Sequence, residues 1–168
     1  MPGMRFPAFL GLSSIIVATW VGCGNPSERS GAGEDKAIQI AVIPKGTTHE
    51  FWRSIEAGAR KAEQELNANG TKVEVIWKGP LKEDDRDQQI QVVENFTSRR
   101  VGGIVLAPLD SKALVRPVET AQKAGIPVVI IDSGLETESY SSFVATDNFK
   151  GGQMAGEFMA KMLEGKGN

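Results

Sequence analysis

Apolar runs and helical periodicities alternate along the chain from residue 38 to residue 163. The first run, Ile38–Ile43, is almost continuously apolar and ends at Pro44, which predicts a buried strand. Thr47 and Glu50 have the spacing of a capping box, so a helix is expected to begin near His49. The apolar positions of this helix recur every three or four residues and share one face, namely Phe51, Ile55, Ala59, Ala62 and Leu66.

The cycle of strand and helix then repeats. Further strands are predicted at residues 73–77, 103–107, 127–131 and, as a weaker pattern, 142–145, with helices at residues 85–98, 111–124 and 151–163. Pro117 lies inside the third helix, where the loss of a backbone hydrogen bond predicts a bend. Because the strands are apolar throughout and alternate with helices, they predict an α/β fold with a doubly wound parallel sheet covered on both faces.

In a doubly wound sheet, ligands bind beyond the carboxyl ends of the strands, near the point where the winding reverses. The loops at these ends carry groups that suit a neutral polar ligand. Phe51 and Trp52 offer aromatic faces near a helix N-terminus, and such faces stack well on the C–H faces of a sugar. Asp132 directly follows the fourth strand and can accept hydrogen bonds from hydroxyls, while Asp147 and Asn148 follow the fifth.

Each of these residues also has a purely structural interpretation. One residue of the aromatic pair is expected in the core, and Phe51 is the candidate because it shares a face with Ile55. Asp132 and the Asp147-Asn148 pair equally fit turns, and His49 equally fits a solvated residue of the first helical turn.

Composition and charge exclude several function classes. The 168 residues carry 19 basic and 21 acidic side chains, and this balance gives no basic excess for a nucleic-acid partner. No glycine-rich phosphate loop follows the first strand, and no G-x-S-x-G elbow is present. With one histidine and one cysteine, the sequence offers no metal-ligand cluster. The sequence therefore predicts a protein that is not an enzyme and has no cofactor and no metal.

The N-terminal segment predicts export. Arg5 precedes an apolar stretch over residues 6–21, which is shorter than the roughly 20 residues of a membrane span. Residues 1–22 are therefore interpreted as a signal peptide that sends the protein to the periplasm or cell surface. A hydrophobic helix retained as an anchor is the alternative.

The only cysteine, Cys23, lies where this apolar stretch ends. The segment Val21-Gly22-Cys23-Gly24 resembles a bacterial lipobox, with Trp20 at the position where leucine is usual. The resemblance implies that Cys23 is lipidated and attaches the mature chain to a membrane. Residues 23–37 are mostly polar and rich in glycine and serine, which predicts a flexible tether.

Four ordered segments together resemble the periplasmic sugar-binding proteins of the ribose-binding type, which are solute receptors of ABC importers. The segments are residues 43–52, 103–108, 125–132 and 145–152. The resemblance implies a lobe of the type I periplasmic binding protein fold that captures a sugar or similar polar small molecule and docks on an ABC permease. A ligand sensor for a chemoreceptor or kinase is the alternative function.

The resemblance also assigns roles to residues. Phe51 and Trp52 match an aromatic pair that sandwiches the sugar ring, and His49 stands where that family commonly has asparagine. Asp132 matches an acidic residue that binds sugar hydroxyls. Ser133 stands where ribose binders often have arginine, so the resemblance does not single out ribose.

Receptors of this family have two similar lobes, and the chain resembles the first. Residues 38–148 are expected to form this lobe, with Asp147 and Asn148 at the crossing to a second lobe that would begin within residues 149–168. The last helix is then expected to lack a packing partner for its apolar positions Met154, Ala155, Phe158, Met159 and Met162.

Overall fold

The computed structural model describes residues 36–166, and strands alternate with helices in this part of the chain except before the last helix, where two strands follow each other directly. The strands are β1 (Ile38–Ile43), β2 (Val73–Trp77), β3 (Gly103–Leu106), β4 (Val128–Ile131) and β5 (Ser142–Val144), and the helices are α1 (Glu50–Ala68), α2 (Arg86–Ser98), α3 (Val115–Lys123) and α4 (Asn148–Leu163). All neighbouring strands are parallel, in the order β2-β1-β3-β4-β5. The predicted α/β fold with a parallel sheet is confirmed. The predicted signal peptide, Cys23 and the tether up to residue 35 lie outside the described residues.

The main core lies between the sheet and the pair α2 and α3. Alternate strand residues point into it because side chains along a strand alternate between the two faces. These core residues include Ala41, Ile43, Ile104, Leu106, Val128 and Ile130 from the strands and Val93, Phe96, Val118 and Ala121 from the helices. On the opposite face α1 packs on β2, where Val73 and Val75 are buried. Within residues 36–166, Val105 and Val129 on that face are only half-buried, so the predicted cover of this face is incomplete.

The N-terminus of α1 differs in detail from the prediction. The N-cap is His49, whose Nδ1 accepts a hydrogen bond from the backbone N–H of Phe51 at 3.1 Å. The predicted capping box of Thr47 and Glu50 is wrong, because the Thr47 hydroxyl donates instead to the carbonyl of Pro80 at 3.3 Å. The helix therefore begins one residue later than the predicted position, and the loop after β1 is attached to the loop after β2.

The third helix also begins later than predicted. Residues 111–114 form a turn in which the Asp110 carboxylate accepts from the backbone N–H groups of Lys112 and Ala113. Pro117 is consequently the third residue of α3. A residue of the first helical turn needs no intrahelical partner for its N–H, so Pro117 does not produce the predicted bend.

Helix α4 begins three residues before the predicted position and packs on nothing in the described chain. Asp147 is its N-cap and accepts from the backbone N–H of Lys150 at 2.9 Å. No residue of α4 is buried, and Phe149, Phe158 and Met162 are between 65 and 78% exposed. The expected lack of a packing partner is thus seen among residues 36–166. In this same part of the chain, no helix has the length and apolar character needed to cross a membrane.

Candidate ligand-binding site

A cleft of about 510 Å³ lies at the carboxyl ends of β4 and β5, beside the first turns of α1. It is lined by Phe51, Ile55, Ile131, Asp132, Val144, Ala145, Thr146 and Asn148. The walls are mostly apolar, and Asp132 is the charged side chain among these lining residues. The position agrees with the rule that places ligands beyond the carboxyl edge of a parallel sheet.

Asp132 is held rigidly at the first position beyond β4. Its backbone has a φ of +65°, in the left-handed region that aspartate tolerates better than most residues. Its N–H donates to the carbonyl of Val144 at 3.1 Å, which joins the ends of β4 and β5. The turn from strand to loop therefore fixes the direction of the carboxylate.

Two side chains hold the Asp132 carboxylate. The Lys45 ammonium lies 2.9 Å from Asp132 Oδ2, and the Ser133 hydroxyl donates to the same oxygen at 2.9 Å. The Lys45 ammonium also donates to the Ser133 hydroxyl oxygen, which closes a triangle of contacts. Because β3 lies between β1 and β4, only a long side chain from the loop after β1 reaches this carboxylate.

The charge of Asp132 follows from these contacts. Partial burial raises the pKa of the Asp132 carboxyl, but the hydrogen bonds from Lys45 and Ser133 and the positive charge of Lys45 together outweigh it. The pKa of Asp132 therefore lies below its ordinary value of 3.8, and the group is a carboxylate at neutral pH.

The ion pair leaves hydrogen-bonding capacity on both partners. Within residues 36–166, Asp132 Oδ2 accepts both contacts and Oδ1 accepts none. A lysine ammonium has three N–H donors, and Lys45 uses two of them, on Asp132 and Ser133. Oδ1 of Asp132 is thus left as an acceptor and one N–H of Lys45 as a donor, on two side chains that are in contact.

The predicted aromatic pair is divided between the cleft and the core. Phe51 is 47% exposed and lines the cleft, whereas Trp52 is 2% exposed and its indole N–H donates to the Glu83 carboxylate at 2.5 Å. The two rings meet edge to face with centroids 5.0 Å apart. Successive residues of a helix point about 100° apart, and here Phe51 borders the cleft while Trp52 turns toward Glu83. The assignment of Phe51 to the core is wrong, because the face that it shares with Ile55 borders the cleft.

The other predicted site residues fall into three positions. Asn148 lines the cleft, and Ser133 lies beside it through its bonds to Asp132 and Lys45. His49 and Asp147 are exposed N-caps of α1 and α4 and are absent from the cleft lining. Their side-chain acceptors are engaged with backbone N–H groups, which favours the structural interpretation for both.

Sequence reasoning missed Lys45 as a partner of Asp132. The sequence did contain a signal for this contact. Lys45 directly follows Pro44 at the end of the first strand, at the same sheet edge as Asp132, and a partly buried carboxylate needs a nearby cation. It also missed Gln89, which is completely buried in α2. A glutamine inside an amphipathic helix gives no local sign of such a role.

Gln89 ties together two loops at the carboxyl edge of the sheet. Its amide nitrogen donates to the carbonyls of Pro44 and Ala107 at 3.0 and 2.9 Å. Its amide oxygen accepts from the N–H of Leu109 at 2.8 Å. Because Pro44 precedes Lys45, the side chain of Gln89 helps to set where the Lys45 loop leaves the sheet.

An acidic hollow of about 410 Å³ lies apart from this cleft, at the start of α2. Its carboxylates include Asp85 and Asp110, which accept backbone N–H bonds as caps. Among residues 36–166, no group of three His, Cys, Asp or Glu side chains has a geometry that could hold a metal ion.

Fold and site together define the chain as an α/β lobe with a cleft at the carboxyl edge of a parallel sheet, in which an ion-paired aspartate lies among mostly apolar walls. The sequence profile of the periplasmic binding protein domain matches residues 40–168. The chain belongs to the periplasmic binding protein family, and the resemblance found in its sequence is confirmed.

Three curated relatives are about a third identical to the chain over the regions that align. The D-ribose/D-allose-binding protein of Pseudomonas aeruginosa is 36% identical over 132 residues, which are 75% of this chain and 40% of the relative. The ribose import binding protein RbsB of Bacillus subtilis is 33% identical over 82% of this chain and 43% of its own length. The D-allose-binding periplasmic protein of Escherichia coli is 31% identical over 78% of this chain and 43% of its own length. The chain thus spans about 40% of the length of these relatives.

Solved structures agree with the fold. A carbohydrate transporter solute binding protein from Agrobacterium radiobacter, in complex with D-arabinose, has a TM-score of 0.68 and 36% identity, over 76% of this chain and 41% of its own. An ABC transporter solute binding protein from Agrobacterium vitis, with bound D-fucose, has a TM-score of 0.66 and 37% identity, over 74% of this chain and 43% of its own.

Proposed function

We propose that the chain forms the first lobe of a solute receptor for an ABC importer and that this lobe captures a neutral sugar without converting it. The observation that carries the proposal is the Asp132 carboxylate, which lines the cleft together with Phe51 and is ion-paired with Lys45. The names of the relatives, which are ribose-binding and allose-binding proteins, support the same ligand class.

The charges of the cleft favour a neutral ligand. Asp132 is the charged residue of the lining, its charge is balanced by the contact with the Lys45 ammonium, and the other lining residues are uncharged. The free Oδ1 of Asp132 accepts from one hydroxyl, and the spare N–H of Lys45 donates to an adjacent oxygen. Phe51 receives the C–H face of the ring. Ser133 stands where ribose binders often have arginine, and Lys45 supplies the positive charge in its place. Two adjacent hydroxyls on a sugar ring match the Asp132 acceptor and the Lys45 donor.

A second lobe that closes over the ligand belongs to this proposal. The relatives are more than twice as long as the matched region. The exposed apolar side chains of α4, which include Phe158 and Met162, are suited to packing against such a lobe. Closure of two lobes around a ligand is the known mode of motion for periplasmic receptors.

The ligand assignment is tested by calorimetric titration of the full receptor that carries this chain with neutral pentoses and hexoses and with a matched sugar acid. At least one neutral sugar is expected to bind, and Phe51→Ala is expected to weaken its binding about 5-fold, because ring stacking is worth on the order of 1 kcal/mol.

Leu66→Ala is the matched control for Phe51→Ala, because Leu66 is a 40% exposed apolar residue at the far end of the same helix. Its affinity should equal that of the wild type. Heat with the sugar acid alone, or equal affinities for the two variants, would contradict the proposal.

Export and lipid attachment of the receptor at Cys23 are also proposed, and the lipobox-like segment supports them. Cells that express the chain and are fed labelled palmitate are expected to incorporate label into it. Cys23→Ser should abolish the labelling, because it removes the thiol that carries the lipid. Equal labelling of both proteins would exclude the anchor.

A further inference from the structure

Strand β2 lies at the edge of the sheet, so one row of its backbone groups faces away from β1. The backbone groups of Lys72 and Lys78 face β1. The Lys72 carbonyl accepts from the N–H of Ile38 at 2.8 Å, and the Lys78 N–H donates to the carbonyl of Val42 at 3.1 Å. Residues between them therefore alternate in direction, and Val73, Val75 and Trp77 present their N–H and C=O groups outward. Open groups of this kind are a template for pairing with a strand of another chain.

Asn67 satisfies both outward groups of Val73. Its amide nitrogen donates to the Val73 carbonyl at 2.9 Å, and its amide oxygen accepts from the Val73 N–H at 2.9 Å. A carboxamide has the donor and acceptor of a peptide group, so this side chain occupies the place that a neighbouring strand would take.

A charged pair does the same for Val75. Glu63 Oε1 accepts from the Val75 N–H at 2.7 Å, and Arg60 Nη1 donates to the Val75 carbonyl at 2.7 Å. Arg60 and Glu63 also contact each other at 3.2 Å. The hydrogen bond from Val75 is the largest influence on the Glu63 carboxyl and lowers its pKa, so the acceptor is charged at neutral pH.

We propose that Arg60, Glu63 and Asn67 form a side-chain seal over Val73 and Val75 that blocks the pairing of this part of the β2 edge with the β2 edge of a second copy of this chain. The three residues lie on one stripe of α1, at spacings of three and four. Every outward backbone group of Val73 and Val75 is bonded by this seal.

The test compares two triple variants of α1 in the whole chain. Arg60→Ala, Glu63→Ala and Asn67→Ala remove the seal. Lys61→Ala, Gln64→Ala and Glu65→Ala remove one cation, one amide and one anion from the exposed side of the same helix, where Lys61 and Glu65 form an exposed ion pair. The two variants thus match in number and charge of the removed groups.

Hydrogen exchange is the first measurement. In the wild type and the control variant, the amides of Val73 and Val75 are expected to be protected. In the seal variant both should exchange about 10-fold faster or more, as expected for a lost hydrogen bond, while the Lys78 amide, which faces β1, keeps its rate. Unprotected Val73 and Val75 amides in the wild type would overturn the proposal.

Strand addition is the second measurement. The probe is a synthetic peptide with the sequence of residues 72–78, and light scattering follows self-association. The seal variant is expected to bind the peptide and to form dimers or larger species as its concentration rises, whereas the wild type and the control do neither. A seal variant that stays monomeric and does not bind the peptide would overturn the proposal, even if that variant is less stable to unfolding than the wild type.

Discussion

Gln89→Leu is expected to lower the free energy of unfolding by at least about 3 kcal/mol, because it leaves three largely buried backbone groups without partners and each costs about 1–3 kcal/mol. These groups are the carbonyls of Pro44 and Ala107 and the N–H of Leu109. Leucine is close to glutamine in size, so the loss comes from hydrogen bonding and not from a cavity. Since a domain has only about 5–15 kcal/mol of stability, such a loss is a large part of the total.

Urea unfolding followed by circular dichroism measures this loss. Gln91→Leu is the matched control, since Gln91 is exposed on the same helix and surface changes usually stay within about 0.5 kcal/mol. If the two leucine variants unfold at the same urea concentration, Gln89 does not hold the loops as described. The Gln89 variant should also lose sugar affinity, because Pro44 leads directly to Lys45.

Asp132→Asn is expected to weaken sugar binding about 100-fold, because hydrogen bonds to charged groups are worth about 1.5–3 kcal/mol and the substitution also leaves the Lys45 ammonium without its counter-charge. Lys45→Met should weaken binding by a similar factor, since it removes a donor and leaves the carboxylate uncompensated. Because the two side chains are in contact, the double variant should lose less than the sum of the two single losses.

Calorimetric titration of the four proteins in this cycle measures the coupling. The exposed pair Lys61 and Glu65, changed to methionine and glutamine, is the control and should leave affinity unchanged. Strictly additive losses for Lys45 and Asp132 would show that they do not act as a unit in binding.

The same pair determines how binding depends on pH. The folded pKa of Asp132 is lowered, so the stability and affinity that depend on its charge are present above its ordinary value of 3.8 and are lost as pH falls through the lowered value. Affinity should therefore be constant from neutral pH down to about pH 5 and fall only in stronger acid. In Lys45→Met, burial still raises the pKa of Asp132 and the lysine no longer lowers it. The loss of affinity in acid should therefore occur at a higher pH than in the wild type. If the pH at which affinity is lost is the same in both proteins, Asp132 is excluded as the titrating group.

Much of the fold was predictable because its signals are local. Apolar runs such as Ile38–Ile43 and Val73–Trp77 predict strands without any knowledge of the residues that pack against them. Their predicted and observed bounds agree closely. The start of α3 was missed because Asp110 binds the turn before it, which leaves Pro117 in the first helical turn. The cap of α1 was missed because Thr47 bonds to Pro80, a residue from another loop.

The sequence by itself determined the alternation of strands and helices, the parallel sheet and the placing of Phe51 and Asp132 near its carboxyl edge, because hydrophobic periodicity and strand ends are properties of short segments. Only the tertiary structure decided that Trp52 belongs to the core, that Lys45 meets Asp132 and that Gln89 joins two loops. These contacts depend on the strand order β2-β1-β3-β4-β5, which brings residues distant in sequence to one edge. No local pattern specifies which side chain is long enough to cross the end of β3.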